Sequence, residues 1–156
     1  MAGSFLTLGV DSLPFRTFVQ VRGFGYRASS HHLLKSIERL SGLREAVVRA
    51  EATLRMQGMQ NAACNGMHSV EQRCCRWLLM SRDRTDSDDL QLTHEFLAEM
   101  LGVRRASVSD VLSPLQAAGM VRSGRGVITI VDRSALEARV CECYGRITKQ
   151  EAKARG

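Results

Sequence analysis

The stretch LTHEFLAEMLGVRRASVSDVLS, residues 92–113, predicts two short helices joined by a tight turn. Thr93 is placed to cap the first helix, because its hydroxyl can accept a bond from a backbone N–H of the first turn. Apolar residues then recur at helical spacing in Phe96, Leu97, Met100 and Leu101. Gly102 follows where the chain has to turn sharply, and glycine tolerates the left-handed conformation that such a turn requires.

The helix after the turn is expected to bury one face and expose a short polar one. Its apolar residues are Val103, Val108, Val111 and Leu112, and the residues left outside are Arg104, Arg105, Ala106, Ser107, Ser109 and Asp110. Ala98, in the first helix, is small enough to let the second helix cross closely. This spacing is typical of the helix-turn-helix, whose second helix enters the DNA major groove. An ordinary helical hairpin with a glycine turn would show the same pattern.

The segment after the motif predicts a β-hairpin, or wing. Pro114 lacks a backbone N–H, so we expect the second helix to kink or restart there. Val121-Arg122 and residues 127–131 are interpreted as strands on either side of the glycine turn 123–126. This turn places Arg125 at an exposed tip, where it can contact a phosphate or remain a solvated turn arginine.

The charge pattern favours a protein that reads a DNA groove. The formal net charge is +6, which permits a nucleic-acid partner without demanding one. In the half that carries the motif, positive charge is concentrated in Arg104, Arg105, Arg122 and Arg125. Aromatic residues make up only 5% of the chain, too few to supply the stacking platforms of a single-strand binder.

No run of eighteen apolar residues and no basic, signal-like start occurs in the sequence. We therefore expect a cytoplasmic protein with no membrane partner.

Upstream of the motif, residues 5–27 mix strand-forming residues with glycines and Pro14, which predicts one or two short strands. Ser29 or Ser30 is expected to cap a short helix that reaches about Ser41 and is ended or bent by Gly42. A second helix is expected from Leu43 to about Cys64. Within it Leu43, Val47, Ala50 and Leu54 alternate steps of four and three, the pattern of a dimeric coiled-coil seam. Intramolecular packing would explain the same pattern.

Turn and cap signals organise the remaining segments. Asn65-Gly66 predicts a hinge, and Ser69 with Gln72 predicts a capping box for a helix anchored by Trp77. The run TDSDD at 85–89 is expected to be a solvated loop. A last helix is expected to start at Asp132 or Ser134, bury residues up to Ile147, and give way to a frayed basic tail from Lys149.

The five cysteines are Cys64, Cys74, Cys75, Cys141 and Cys143. Their spacings do not give the paired knuckle of a zinc site. We therefore expect small buried apolar residues, with no metal site and no cofactor, and keep a redox or metal sensor as the alternative. No His, Cys or carboxylate has a partner at catalytic spacing, so we expect no enzyme. The four histidines, His31, His32, His68 and His94, are interpreted as solvated or capping groups.

Three strings of the chain resemble the Crp/Fnr family of bacterial transcription regulators: CNGMHSVEQRCCRWLLMSRDR, LTHEFLAEMLGVRRASVSDVL and RGVITIVDRSALEARVCECY. The resemblance covers about residues 5–148. It implies a fold that is mainly α with small β, in which a winged helix-turn-helix is preceded by a long dimerisation helix and a remnant of a β-roll. The boundaries expected on this basis are 1–28 for the β-roll remnant, 29–64 for the short and long helices, 65–68 for the hinge, 69–148 for the DNA-binding domain and 149–156 for the basic tail.

The chain also departs from the family pattern. Intact members carry an N-terminal β-roll whose glycine, glutamate and arginine cassette grips a cyclic-nucleotide phosphate, and iron-sulfur members carry an N-terminal cysteine cluster. Neither occurs in this sequence. The resemblance therefore implies a regulator with most of its sensor missing, and it does not extend to ligand-controlled switching.

The resemblance also assigns roles to single positions. Arg105 stands where members use an arginine to read a guanine, which agrees with the bidentate fit of arginine to O6 and N7. Ala106 stands where well-known members carry a base-reading glutamate, and it offers only a methyl contact. Asp110 replaces a second base-reading arginine and could accept from cytosine N4 or orient Arg105. Ser109 completes the base-facing set. Phosphate contacts are expected from Thr93, Arg104, Ser107, Arg122 and Arg125.

Two functions are consistent with these observations. In the first, the chain is a dimeric regulator that binds an inverted repeat of double-stranded DNA, with RNA polymerase as a further partner. In the second, it is a truncated interaction module that pairs with a full-length relative through Leu43, Val47, Ala50 and Leu54 and does not itself bind DNA or effector. Uncovered Phe15, Phe18, Phe24 and Leu33 would favour the second function.

Overall fold

The computed structural model describes residues 3–12, 14, 17, 19, 23–85 and 87–155. A 3-10 helix, Ser4–Leu8, comes first, and the α-helices are α1 Ser30–Arg39, α2 Ser41–Met67, α3 Val70–Thr85, α4 His94–Leu101, α5 Arg105–Ala117, α6 Arg133–Arg139 and α7 Cys143–Arg155. The strands are β1 Asp89–Leu90, β2 Val121–Gly124 and β3 Val127–Ile130. The chain divides into two compact units, of which the second is Gln60–Ile147 and the first is everything before and after it. The fold is thus mainly helical with one small sheet, as the sequence predicts.

The first unit is helical throughout most of its described part. Ser29 caps α1 by accepting from the backbone N–H of His32 at 3.3 Å. The break between α1 and α2 falls at Leu40, which is extended, whereas Gly42 lies inside α2. The expectation that Gly42 ends or bends the first helix is therefore wrong, because the backbone leaves the helical conformation two residues earlier.

No strand is present in the described residues before Ser30, where one or two were predicted. Residues 4–8 instead form the 3-10 helix, between Gly3 and Gly9 in left-handed conformations. A lone strand has no ladder partner to bond with, so a strand pattern without a neighbouring sheet does not form one. The other predicted strand positions 13, 15, 16, 18 and 20–22, which include Phe15 and Phe18, lie outside the described residues.

The predicted dimer seam lies on α2 and is unevenly covered. Val47 is buried, at 2% exposure, while Leu43 and Ala50 are half-buried and Leu54 is exposed. Val47 is thus packed within its own chain. The seam as an interface remains a prediction.

The hinge begins later than Asn65-Gly66, because α2 continues through both residues to Met67. The backbone N–H of His68 still donates to the carbonyl of Cys64 at 3.0 Å. The side chain of Asn65 is held by Arg73, whose guanidinium donates to it at 3.1 Å. The turn itself is made by Ser69, whose hydroxyl accepts from Gln72 N–H at 3.2 Å while the Gln72 side chain accepts from Ser69 N–H at 3.1 Å. The predicted capping box is confirmed.

The core of the second unit is built around α3, which packs against α4, α5 and α6. Trp77 is half-buried and lies edge-on against Phe96, with ring centroids 6.1 Å apart, so it anchors the helix from the rim of the core. Two arginines of α3 are buried. Arg73 donates to the Leu101 carbonyl at the end of α4 at 3.0 Å, and Arg76 donates to Asn61 at 2.8 Å. These bonds tie α3 to the end of α4 and to the last turns of α2.

A three-stranded antiparallel sheet has β3 at its centre, flanked by β1 and β2. The wing strands β2 and β3 are confirmed, with Val121 opposite Ile130. Strand β1 was not predicted, since Asp89 belonged to the expected loop 85–89. Leu90 is 3% exposed, and its burial beside Ile128 draws this short segment into the sheet.

Three further helix boundaries differ from expectation. Helix α5 does not restart at Pro114 but continues to Ala117. Leu112 and Leu115, on either side of the proline, are both buried and hold this part of the helix against the core. The single last helix predicted is two helices, because Val140 is extended. The basic segment from Lys149 continues α7 instead of fraying at once. The start of α6 agrees with the prediction, since Asp132 is one of the two residues expected to cap this helix. Its side chain accepts from Ala135 N–H at 2.9 Å.

Within the described part of the chain, no helix is both long and apolar enough to cross a lipid bilayer.

Candidate nucleic-acid interface

The turn between α4 and α5 has the geometry that the sequence predicts. Thr93 accepts from the backbone N–H of Phe96 at 3.1 Å and so caps α4. Gly102 is left-handed, with φ 64° and ψ 39°. Val103 N–H reaches back to the carbonyl of Ala98 at 3.0 Å, which closes the helix end. Ala98 is 5% exposed, and its small side chain lets α5 pack across α4.

Helix α5 buries one face and leaves the other open. Val108 and Leu112 are fully buried. Ser107 is half-buried, and the other outer residues expected to contact DNA are exposed: Arg104, Arg105, Ala106, Ser109 and Asp110. Arg104 is the extended residue that precedes the helix. The first turn of α5 is therefore accessible to a partner.

The wing ends in a two-residue turn formed by Arg125 and Gly126. Both have positive φ, 51° and 79°, and Gly124 pairs with Val127 across the turn. An arginine in the left-handed region costs about 1–2 kcal/mol, so a glycine would fit this turn more easily. Gln116 of α5 steadies the wing, since its side-chain oxygen accepts from Ser123 N–H at 2.8 Å.

His94 connects three elements, a role that the sequence did not reveal. Its Nδ1 lies 3.2 Å from Ser109 Oγ on α5, and its Nε2 lies 3.0 Å from Ser123 Oγ on β2. His94 itself begins α4. Because residues 94, 109 and 123 are far apart in sequence, no local pattern indicates this bridge.

A concave surface forms between the starts of α4 and α5 and the wing. Its lining includes three predicted DNA-contact residues, Thr93, Arg105 and Arg125. Arg105 Nε lies 2.7 Å from Glu95 Oε1, and both side chains are about two-thirds exposed, at 67% and 61%. Arg105 is therefore paired with Glu95 in this structure, and a role of Asp110 in orienting Arg105 remains a prediction. Among the described residues, Arg104, Ser107 and Arg122 are not part of this lining.

A separate group of potential metal ligands lies elsewhere in the second unit. The ligand atoms of Cys64, His68, Cys141 and Cys143 all lie within 4.8 Å of one another. Burial raises the pKa of the Cys141 thiol to about 12, and the Cys64 thiol beside it adds to the shift. Cys74 and Cys75 lie apart, in the main apolar core. No local sequence pattern indicates this group, because its pairs, four and two residues apart, meet only in the fold.

Comparison with known proteins identifies a helix-turn-helix domain in part of the chain. Residues 72–139 match the model of the Crp-like helix-turn-helix domain. A solved structure of a CRP-family transcriptional regulator from Thermus thermophilus shares 25% identity, with a TM-score of 0.54, over 60% of this chain and 51% of its own. No curated protein sequence matches the chain.

Two further solved structures share the fold. One is described as a transcriptional regulator of the Crp/Fnr family from Eubacterium rectale, with 24% identity, a TM-score of 0.56, and coverage of 70% of this chain and 51% of that one. FixK2 from Bradyrhizobium japonicum shares 19% identity, with a TM-score of 0.66, over 72% of this chain and 59% of its own. The chain thus spans little more than half the length of the structures it matches.

Proposed function

Because residues 72–139 of this chain form a Crp-like helix-turn-helix domain, we propose that the protein is a transcription regulator that reads the DNA major groove with the first turn of α5. The observation that carries the proposal is the concave surface that brings Arg105 and the wing residue Arg125 together. An exposed helix start next to a basic wing can enter a groove while the wing contacts the backbone.

In this arrangement Arg105 is the principal base-reading residue. Its guanidinium is exposed and is paired with an exposed carboxylate, which DNA can displace at small cost. Ala106 and Asp110, also exposed on α5, would add a methyl contact and an acceptor for cytosine N4. Ser109 is shared with His94 and would read a base only by giving up that contact.

The phosphate contacts would come from residues around this helix start. Arg104 precedes α5 and Arg125 stands at the wing tip, both exposed. Thr93, Ser107 and Arg122 are the further candidates. Such contacts set the register of the protein on the duplex, and the bases contacted by α5 set the sequence.

We also propose that the protein binds an inverted repeat as a homodimer, with RNA polymerase as a further partner. A dimer that presents two recognition helices matches the symmetry of such a site. The seam Leu43, Val47, Ala50 and Leu54 is the candidate interface. Val47 is already buried in the chain, so the surface that this seam offers to a partner comes from exposed Leu54 and half-buried Leu43 and Ala50.

Selection from a random duplex pool tests the proposal. The expected result is enrichment of one sequence with two inverted half-sites, at an affinity that falls steeply with salt. Arg105→Ala should relax selection at one base pair per half-site. Arg39→Ala removes the same charge from an exposed position on α1 and should leave the selected sequence unchanged. Failure to enrich any sequence would reject the proposal.

A second candidate function is an interaction module that pairs with a longer relative. Apolar side chains exposed in the first unit favour it: Phe24 is fully exposed and Leu33 only half-buried. Light scattering together with a gel shift separates the two functions. A homodimer that shifts a duplex supports the regulator, whereas a monomer that binds no DNA supports the module.

A further inference from the structure

The last turns of α2 and the junction between α6 and α7 bring together a set of soft ligands. Cys64 lies in the last turn of α2 and His68 directly follows that helix, while Cys141 lies between α6 and α7 and Cys143 begins α7. All three thiols are at most 3% exposed. Three sulfurs and an imidazole converge on one point inside a single compact unit.

All four ligand atoms lie within 4.8 Å of one another, and two of the distances match those expected around a single tetrahedral ion. With metal–sulfur bonds of about 2.3 Å and a metal–nitrogen bond of about 2.0 Å, two sulfurs would be about 3.8 Å apart and a sulfur and a nitrogen about 3.5 Å apart. The distance from Cys64 Sγ to Cys141 Sγ is 3.6 Å, and that from Cys143 Sγ to His68 Nδ1 is also 3.6 Å. An iron-sulfur cluster would hold its ligands farther apart, because several atoms stand between them.

Outer groups also have the roles expected around a metal. The far nitrogen of the imidazole, His68 Nε2, lies 3.2 Å from Glu142 Oε2, the carboxylate contact that orients metal-binding histidines. Gln60 Nε2 donates to Cys143 Sγ at 3.0 Å, which stabilises negative charge on that sulfur. Cys64 and Cys141 are both free thiols, so each sulfur is available to a metal.

We propose that Cys64, His68, Cys141 and Cys143 form a closed structural site for one zinc-type divalent ion. Three thiolates and one imidazole are a common structural set for zinc, and burial leaves no open position for water. The ligands lie immediately before and after residues 72–139. The ion would therefore fasten the two ends of the DNA-binding domain to each other, a role separate from reading DNA.

Metal analysis of the full chain, purified under reducing conditions, provides the test. We expect about one zinc per chain, and zinc should be lost in Cys143→Ala. Cys75→Ala removes an equally buried thiol outside the cluster and should retain the zinc. Replacement of zinc by cobalt(II) should give thiolate-to-metal absorption and the intense d–d bands of a tetrahedral ion, readouts that do not depend on DNA binding.

Glu142→Gln guards against a trivial loss of fold, because it keeps all four ligands and Glu142 is itself exposed. Metal affinity should fall about 10- to 100-fold in this variant, with an unchanged circular dichroism spectrum. A wild-type chain without zinc and without tetrahedral cobalt bands would overturn the proposal. Equal loss of metal in Cys75→Ala and Cys143→Ala would also overturn it. A third contradicting result would be a wild-type chain that binds no metal and contains a disulfide between Cys64 and Cys141.

Discussion

Arg105 donates to Glu95 across the start of α5, with Nε and Oε1 2.7 Å apart. The pair holds the guanidinium at the surface where a base edge would lie. Since both side chains are well exposed, solvent weakens their attraction to about 0.2–1 kcal/mol. We therefore expect Glu95 to position Arg105 in the free protein and to release it when DNA binds.

Glu95→Gln should therefore strengthen binding to DNA of any sequence while reducing discrimination at the base pair read by Arg105. The substitution removes a negative charge that faces phosphate, and it frees the guanidinium to adopt other orientations. Affinities for the selected duplex and for a scrambled duplex measure both effects. Glu99→Gln is the control, because Glu99 is also an exposed carboxylate of α4. This variant should keep the wild-type discrimination between base pairs. Equal discrimination in all three proteins would contradict the positioning role.

His94→Ala should weaken the connection between the wing and α5, since one imidazole contacts both Ser109 and Ser123, while the bond from Ser123 N–H to Gln116 remains. We expect a loss of about 1–3 kcal/mol in the free energy of unfolding, because two bonds disappear. Specific DNA binding should weaken as well, although His94 need not touch DNA. Urea unfolding and a gel shift measure the two effects. A variant as stable as wild type would show that the bridge has no structural role.

Arg73→Met should destabilise the second unit, because the Leu101 carbonyl and the Asn65 side chain would both lose their donor. Leaving such groups unsatisfied costs about 1–3 kcal/mol. Chemical denaturation gives the change in free energy of unfolding. The same substitution at exposed Arg39 should change it by less than about 0.5 kcal/mol. If both variants lose equal stability, the buried bonds do not hold the unit together.

Tyr144 should make stability fall in alkaline solution. Its hydroxyl donates to Asp83 at 2.7 Å, and burial together with that bond raises its pKa to about 12. The unfolded phenol has a pKa of about 10. The bond therefore stabilises the fold fully below about pH 10, and its contribution disappears as the pH rises through about 12.

Comparison with Tyr144→Phe isolates this contribution. The difference in unfolding free energy between the two proteins should be constant below about pH 10 and shrink above it. A difference that grows with alkalinity would have the opposite sign from the one expected.

Local signals in the sequence were sufficient for the helix-turn-helix and its wing. The Thr93 cap, left-handed Gly102 and the glycine turn of the wing each depend on a few neighbouring residues. Features set by distant contacts were missed. Strand β1 forms because β3 lies beside it, and α2 continues through Asn65-Gly66, where Arg73 donates to the Asn65 side chain.

The four proposed metal ligands, Cys64, His68, Cys141 and Cys143, are likewise brought together by contacts that a local sequence pattern does not show. Their pairs look ordinary along the chain, and only the packing of α2 against the α6–α7 junction brings them within 4.8 Å. The sequence also offers Asp110 as a residue that could orient Arg105, whereas the structure shows an ion pair between Arg105 and Glu95. Glu95 reaches Arg105 because α4 and α5 cross, and a sequence pattern does not show that crossing.

The most direct test of the DNA-reading surface is the affinity of wild type and Arg105→Ala for the selected duplex and for duplexes changed at each position in turn. We expect Arg105→Ala to lose about 1–3 kcal/mol of binding free energy on the selected duplex. It should also bind all four base pairs equally at one position in each half-site, while Arg39→Ala binds as wild type does. A loss shared evenly by all duplexes, with every base preference intact, would contradict a base-reading Arg105.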